Sequence, residues 1–346
     1  MVSVNRRWLL PIGLTTALVL CAVERCDASS TIKRVRWLFG TVCSMQVTAE
    51  ADAAERATES AFTAMRAVET RFSNYQPDSE IAALNRRGAG TWPASGELLM
   101  LLRTGVRLRD TSDGRFDLGV WPLMQLWQRC SDEQRLPTDA EIAQARRAGD
   151  THPLQLDDAH GTVRVASPGC ALDLSALVKG YAIDQAVATL RAASVEDATI
   201  NAGGQLYVLR DDSDPSVVDV VDPRDEHRVV ARLRIANRSV ATSSQSEQSW
   251  TIRGRRYGHL LHPQTGWPEA RACLSATVIA PTGLEADGAA TVAALLGPEA
   301  GQRFIATRHG AEAMWLLPGA KPATLRFITT PGWSRLTHMT WFGDHE

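Results

Sequence analysis

The chain has 346 residues, of which 44% are hydrophobic and 22% charged, an ordinary globular balance with enough length for one large core or two smaller ones. A formal net charge of −2 leaves no basic excess, which argues against nucleic acid as the main partner. The sequence has no repeat at a fixed period and no low-complexity tract.

Residues 1–28 stand apart. Arg6 and Arg7 precede an apolar run from Trp8 to Val23, followed by Glu24, Arg25 and a small-residue site ending at Ala28. That is the layout of an export signal cleaved after Ala28, and the run is short for a membrane span. Asn5 to Leu10 loosely follow a twin-arginine pattern, which implies export of a folded protein. Leu20 occupies the position before Cys21 where a lipoprotein box wants a small residue. An uncleaved anchor is the alternative, with membrane association through the N-terminus. The mature protein is expected to span 29–346 and to be exported, either periplasmic or held at the outer face of the inner membrane.

Val35 to Val47 reads as a strand interrupted at Gly40-Thr41. Phe62, Met65, Val68 and Phe72 form a helical stripe within 59–72, and Ser73 to Pro77 break it. Leu98, Leu102 and Val106 mark another helix ending near Asp113-Gly114. Thr138 and Glu141 have capping-box spacing for a helix that stops at Gly149. A short strand is expected at 161–165 and a helix at 177–193, entered through Asp173 and Ser175. From Asp197 onward β signals dominate, at 199–209, 217–221, 229–235, 250–261 and 274–280. A helix over 287–296 with a glycine stop at Gly297 follows, then strands at 313–317 and 325–329. Without a long linker, this is one α+β unit. Cys43, Cys130, Cys170 and Cys273 would remain after cleavage; they form no CxxC, and a Cys130–Cys170 bridge or buried free thiols are the two outcomes.

Several segments place polar residues amid apolar ones. Asp287 and Thr291 are four apart and share a helix face; a carboxylate and a hydroxyl there are hard oxygen ligands suited to Mg²⁺, or else an ordinary dipole partner and a packed methyl. Asp173 and Lys179 flank a turn at a helix start, where the Ala176 carbonyl is free for a cation, unless Asp173 is simply an N-cap. Gly114-Arg115-Phe116-Asp117 suits packing against an adenine or ribose, or else a loop that plugs the core. Gly203-Gly204 lacks dinucleotide-fold spacing and reads as a strand bend. His259 ends a β run before a Pro/Gly turn, where an imidazole can serve as a base near neutral pH; a zinc pair with His262 lacks a nearby third ligand.

Together these segments resemble the ApbE family of FAD:protein FMN transferases. The matches run in order along the chain. They are Phe39-Gly40-Thr41; Phe72-Ser73-Asn74-Tyr75 with Pro77, Asp78, Ser79, Glu80 and Asn85; and Gly114-Arg115-Phe116-Asp117 with Pro122, Leu123 and Trp127. Then come Leu172-Asp173-Leu174 with Lys179-Gly180-Tyr181-Ala182 and Asp184; Gly203-Gly204; Ala241-Thr242-Ser243; His259 with Pro263, Thr265, Gly266 and Pro268; and Ala286-Asp287 with Thr291.

The resemblance implies an α+β, T-fold-like unit of two lobes, with β-sheets flanked by helices and a flavin cleft between the lobes. It also implies Mg²⁺-dependent transfer of FMN from FAD to a Ser or Thr hydroxyl of an acceptor protein, with release of AMP. Asp287, Thr291 and the Ala176 carbonyl are then metal ligands. Phe39, Tyr75, Arg115, Phe116, Asp117, Asp173 and Lys179 are then FAD contacts, and His259 is the base. Hydrolysis of FAD to FMN and AMP, or flavin binding without catalysis, are the alternatives. The chain departs from the family pattern at His262 (usually Asp), Ser244 (usually Gly), Ala290 (often acidic), Gly119 (usually Thr) and Trp121 (usually Gly). The changes at His262 and Ala290 are expected to remove negative charge near the metal.

Overall fold

The computed structural model describes residues 29–151, 154–245, 249–269, 273–321 and 324–342. The expected export signal at 1–28 lies outside the described residues.

Strands β1 (Ser29–Leu38) and β2 (Thr41–Glu50) form a hairpin rather than one interrupted strand. Phe39 and Gly40 both adopt positive φ, +55° and +68°, the two-residue turn geometry that matches strand twist. The Glu50 carboxylate accepts the Asp52 and Ala53 N–H groups and starts helix α1 (Ala51–Phe72), whose Phe62, Met65, Val68 and Phe72 are buried as the stripe predicts. Each such side chain stabilises the fold by about 1.5–3 kcal/mol on burial. Ser79 caps α2 (Glu80–Arg87), which the sequence reading missed. β3 (Gly90–Pro93) and α3 (Gly96–Thr111) follow.

After Asp117 comes a 3₁₀ turn, Leu118–Val120, running into α4 (Trp121–Asp132), a helix the sequence does not announce. α5 (Asp139–Ala148) carries both bonds of the Thr138–Glu141 capping box and ends at Gly149. β4 (Gln155–Asp157), β5 (Thr162–Val165) and α6 (Ser175–Ala192) come next. β6 (Asp197–Ala202) and β7 (Gln205–Leu209) form a second hairpin, so Gly203 and Gly204, at φ +60° and +92°, make a reversal rather than a bend.

Beyond it lie β8 (Ser216–Asp222), β9 (Asp225–Ile235) and β10 (Arg238–Ser244), the last unforeseen. The expected run over 250–261 is a hairpin, β11 (Ser249–Ile252) and β12 (Arg255–Gly258). After β13 (Ser275–Ala280), helix α7 (Gly283–Ala306) begins four residues before Asp287, capped by the Thr282 hydroxyl. Asp287 therefore sits in the second turn. Gly297, at φ +70° and outside helical geometry, ends the first helical segment as the sequence predicts, and a second segment continues from Pro298 across the kink. β14 (Glu312–Pro318), β15 (Leu325–Thr329), α8 (Trp333–Thr337) and β16 (Thr340–Trp341) complete it.

The architecture is α+β. Eight strands pair antiparallel in the order β1-β2-β6-β7-β10-β13-β14-β15. The main core lies between this sheet and α1, α6 and α7. On the other side, β8 and β9 with β16 close over Val208, Ile279 and Met314. A third cluster joins α4 and α5 to the β11–β12 hairpin around Trp127. The four cysteines are buried and free; Cys130 belongs to this third cluster and Cys170 to the main core, so no bridge joins them.

Candidate active site

A cavity opens where the main unit meets the α4–hairpin lobe. Its empty space, open mouth included, is about 1360 Å³. Phe39, Tyr75, Arg115, Phe116, Asp117, Asp173, Ala176, Lys179, His259, Asp287 and Thr291 all line it. They arrive from the first hairpin turn, the end of α1, the turn before α4, the start of α6, the loop after β12 and α7.

At one end α6 and α7 cross at near backbone contact. A Cβ on Gly180 would lie 2.2 Å from the Gly283 carbonyl oxygen, so only glycine permits the approach. The Gly180 N–H donates to Asp287 Oδ2 at 2.9 Å. In an undisturbed helix that N–H would serve the Ala176 carbonyl, so Asp287 competes for it. Burial pushes the Asp287 carboxyl up to about 6, against the opposing pull of nearby Lys179 and the Gly180 N–H. The Thr291 hydroxyl lies 3.3 Å from both the Asp287 carbonyl and Ser243 Oγ, long contacts. Asp184 holds the α7 start: its two oxygens accept the Gly283 and Leu284 N–H groups at 2.5 and 2.9 Å.

Asp173 is buried, which raises its carboxyl above the usual range, and it accepts the Ser175 N–H at 2.8 Å. It acts as a local cap one residue outside the Leu174 N-cap. The segment around it is clamped by two asparagines. Asn74 Nδ2 donates to the Leu172 carbonyl at 2.6 Å and its Oδ1 accepts the Leu174 N–H, while Asn85 brackets Leu172 through both its amide atoms. Asp117 caps the 3₁₀ turn through the Gly119 N–H at 2.8 Å and accepts the Thr151 hydroxyl. Arg115 is engaged in an ion pair with Glu269 at 3.0 Å, which ties the turn before α4 to the segment after His259. Tyr75 is the exposed member of the set, its ring edge-on to Trp121 with centroids 5.4 Å apart.

His259 follows the last residue of β12. Gln245 brackets the next residue, accepting the Leu260 N–H and donating to its carbonyl. His262 points elsewhere: its Nδ1 accepts the Gln264 N–H at 3.1 Å, and it does not line the cavity. Ala290 is buried in the main core and does not line it either. Of these two departures, Ala290 lies one helical turn from Asp287, and neither lines the cavity. Gly119 and Gly149 are paired by close approach, since a Cβ on Gly119 would lie 1.8 Å from the Gly149 oxygen.

Asn74 and Ser243 came to notice only as parts of motifs, and Gln205 not at all. Gln205 Nε2 donates to the Gly283 carbonyl at 2.9 Å, which fixes its amide orientation and leaves Oε1 buried without a partner at the cavity wall. A polar residue directly after Gly203-Gly204 was the available signal.

The ApbE family model matches residues 39–315. The chain belongs to the ApbE family. It is 31% identical to the FAD:protein FMN transferase of Salmonella typhimurium over 241 residues, covering 67% of this chain and 69% of that protein. With the FAD:protein FMN transferase of Treponema pallidum it shares 28% identity over 323 residues, 87% of this chain and 89% of that one. The crystal structure of the ApbE protein of Thermotoga maritima superposes with a TM-score of 0.79 at 24% identity, covering 89% and 99% of the two chains, which establishes the shared fold.

Proposed function

We propose that this chain is an FAD:protein FMN transferase, a Mg²⁺-dependent enzyme that moves FMN from FAD onto a Ser or Thr hydroxyl of an acceptor protein and releases AMP. The observation that carries the reading is convergence: residues separated by up to 252 positions, Phe39 to Thr291, line one cavity in a chain of the ApbE family.

In this reaction the acceptor oxygen attacks the FMN phosphorus, the phosphoanhydride P–O bond breaks, and AMP leaves with the bonding pair. The acceptor proton passes to His259, which the end of β12 holds at the cavity wall. Lys179 supplies a fixed cation to the same cavity. Asp173, held by the asparagine clamp, and Phe116, buried at the wall, supply hydrogen-bonding and apolar surface for the FAD. The donors around Asp287 fit Mg²⁺: a carboxylate, a hydroxyl and the Ala176 carbonyl are hard oxygens, and no thiol is among the lining residues. A bound Mg²⁺ would offset phosphate charge during attack and departure. Among the described residues no three His, Cys, Asp or Glu cluster as a metal site, so the ion would lean on substrate phosphates.

Incubation of the full protein with FAD, Mg²⁺ and a Ser/Thr-bearing acceptor tests this. Covalent FMN on the acceptor with equimolar AMP is the expected result. Free FMN with AMP would make the chain a pyrophosphatase, and intact FAD would overturn the reading. We further propose export with loss of residues 1–28; mass spectrometry of the protein from its host should find no intact Met1.

A further inference from the structure

A second groove adjoins the cavity, and the two share the Tyr75, Met124 and His259 side chains. One wall is a single face of α4: Trp121, Met124, Gln125, Gln128, Arg129 and Asp132 recur at helical spacing, while Leu123, Leu126, Trp127 and Cys130 on the opposite face are buried. The other wall is the β11–β12 hairpin, through Ser249 and Arg256. The lobe beneath is stiffened by Trp127, whose ring stacks on Trp250 at 5.6 Å and whose Nε1 donates to the Gly266 carbonyl.

We infer that this groove receives an extended segment of the acceptor protein and delivers its Ser or Thr hydroxyl to His259; the inference rests on the transferase reading above. Three observations select this occupant. The α4 face runs twelve residues, about 17 Å at 1.5 Å per step, and that length takes about five residues of extended chain at 3.3 Å each. Gln125 presents a side-chain amide, and the Ser249 hydroxyl, which accepts from Arg256, keeps its proton to donate, chemistry that can pair with the free backbone groups of an extended strand. The groove also reaches His259 without passing through the flavin cavity, so the hydroxyl and the FAD phosphates can approach the base from different sides. Tyr75 and Trp121, edge to face at the junction, supply the aromatic surface at which binding energy concentrates.

The test uses the full protein, FAD, Mg²⁺ and a synthetic pool of seven-residue peptides with a central threonine, scored for covalent FMN by mass spectrometry. KM is then measured for the best peptide of the pool. Gln125→Trp fills the groove from the helix side, and Ser249→Trp fills it from the hairpin side. Each should raise the peptide KM by about tenfold or more while leaving the FAD dissociation constant unchanged. Thermal unfolding of each variant separates misfolding from blockage, and either well-folded variant suffices. A folded variant with unchanged peptide KM overturns the groove assignment while transfer itself stands. A wild type that modifies no peptide and releases no AMP overturns the transferase reading, and the groove's role with it.

Discussion

Gly180→Ala is the substitution that most directly asks whether the α6–α7 crossing positions Asp287. The added methyl would sit 2.2 Å from the Gly283 oxygen, 2.5 Å from its carbon and 2.8 Å from Asp287 Cβ. Carbon contacts are comfortable at about 3.5–4.0 Å, so α7 must retreat by about 1 Å, and backbone on the far side cannot rotate away as a side chain would. Overpacking of this kind costs about 1–3 kcal/mol. The same retreat stretches the 2.9 Å bond from the Gly180 N–H to the Asp287 carboxylate beyond useful length. A hydrogen bond to a charged group contributes about 1.5–3 kcal/mol, and the two losses overlap because one movement causes both. A total near 3–4 kcal/mol is expected. With unfolding entropy of about 2.1 cal/mol/K per residue over roughly 318 residues, the midpoint falls by about 4–6 °C. A displacement of about 1 Å at a catalytic group typically costs about 10²-fold in rate. Calorimetry and Mg²⁺-dependent FAD turnover at one temperature give both readouts. A variant with unchanged midpoint and unchanged turnover would refute the argument that the crossing sets the site.

Three further outcomes follow from the same geometry. Asp287→Ala should reduce Mg²⁺-dependent turnover by about 10²-fold or more; equal rates for wild type and variant at saturating Mg²⁺ would remove Asp287 from the chemistry. His259→Ala should lower transfer by about 10²–10⁴-fold with the FAD dissociation constant largely intact, whereas His262→Ala should matter less; the reverse order would mean the base is misassigned. Burial raises the Asp184 carboxyl to about 6 from an unfolded value of 3.8, so the native state holds the extra proton between those values. Its contribution to stability is complete below about 3.8 and is lost as pH rises through 6. Asp184→Asn should flatten that part of the profile, and should also lower stability throughout, because Asn has one acceptor for the two N–H groups that Asp184 receives.

Local chemistry with a strong period was legible in the sequence. The α1 stripe, the Thr138–Glu141 box and the strand at 325–329 depend on neighbours in the chain, and each appears where the pattern puts it. Reversals of two residues were not legible. Val35 to Val47, 199–209 and 250–261 each read as one β run because their turns, Phe39-Gly40, Gly203-Gly204 and Arg253-Gly254, are too short to dilute the apolar signal. β10 was hidden for the opposite reason. Its Ser239, Thr242 and Ser243 look like surface residues, yet the strand is central, and Ser239 Oγ donates to the Leu206 carbonyl at 2.8 Å while Thr242 meets Thr277 at 2.9 Å. α4 was masked by Pro122, which is tolerated in a first helical turn.

The departures from the family pattern look different once their neighbours are known. At His262 the imidazole Nδ1 accepts the Gln264 N–H across a Pro-containing turn, the service an Asp carboxylate, whose Oδ lies the same number of bonds from the backbone, also performs. That service requires Nδ1 unprotonated. Burial is the largest influence on the ring and lowers its pKa, with Arg115 and Arg146 adding to the effect and Glu269 opposing it. A neutral ring is therefore favoured where the turn needs an acceptor. Ser244 lies buried on β10 opposite Ser275, one residue beyond the cavity-lining Ser243. Ala290 packs in the main core, one helical turn on from Asp287. Gly119 meets Gly149 at a distance no threonine would allow, and Trp121 stands against Tyr75 at the junction of cavity and groove. The substitutions at His262 and Ala290 thus leave the donors around Asp287 untouched. Trp121 alone among them changes a surface that a substrate would meet, and that surface is the one proposed here to receive the acceptor.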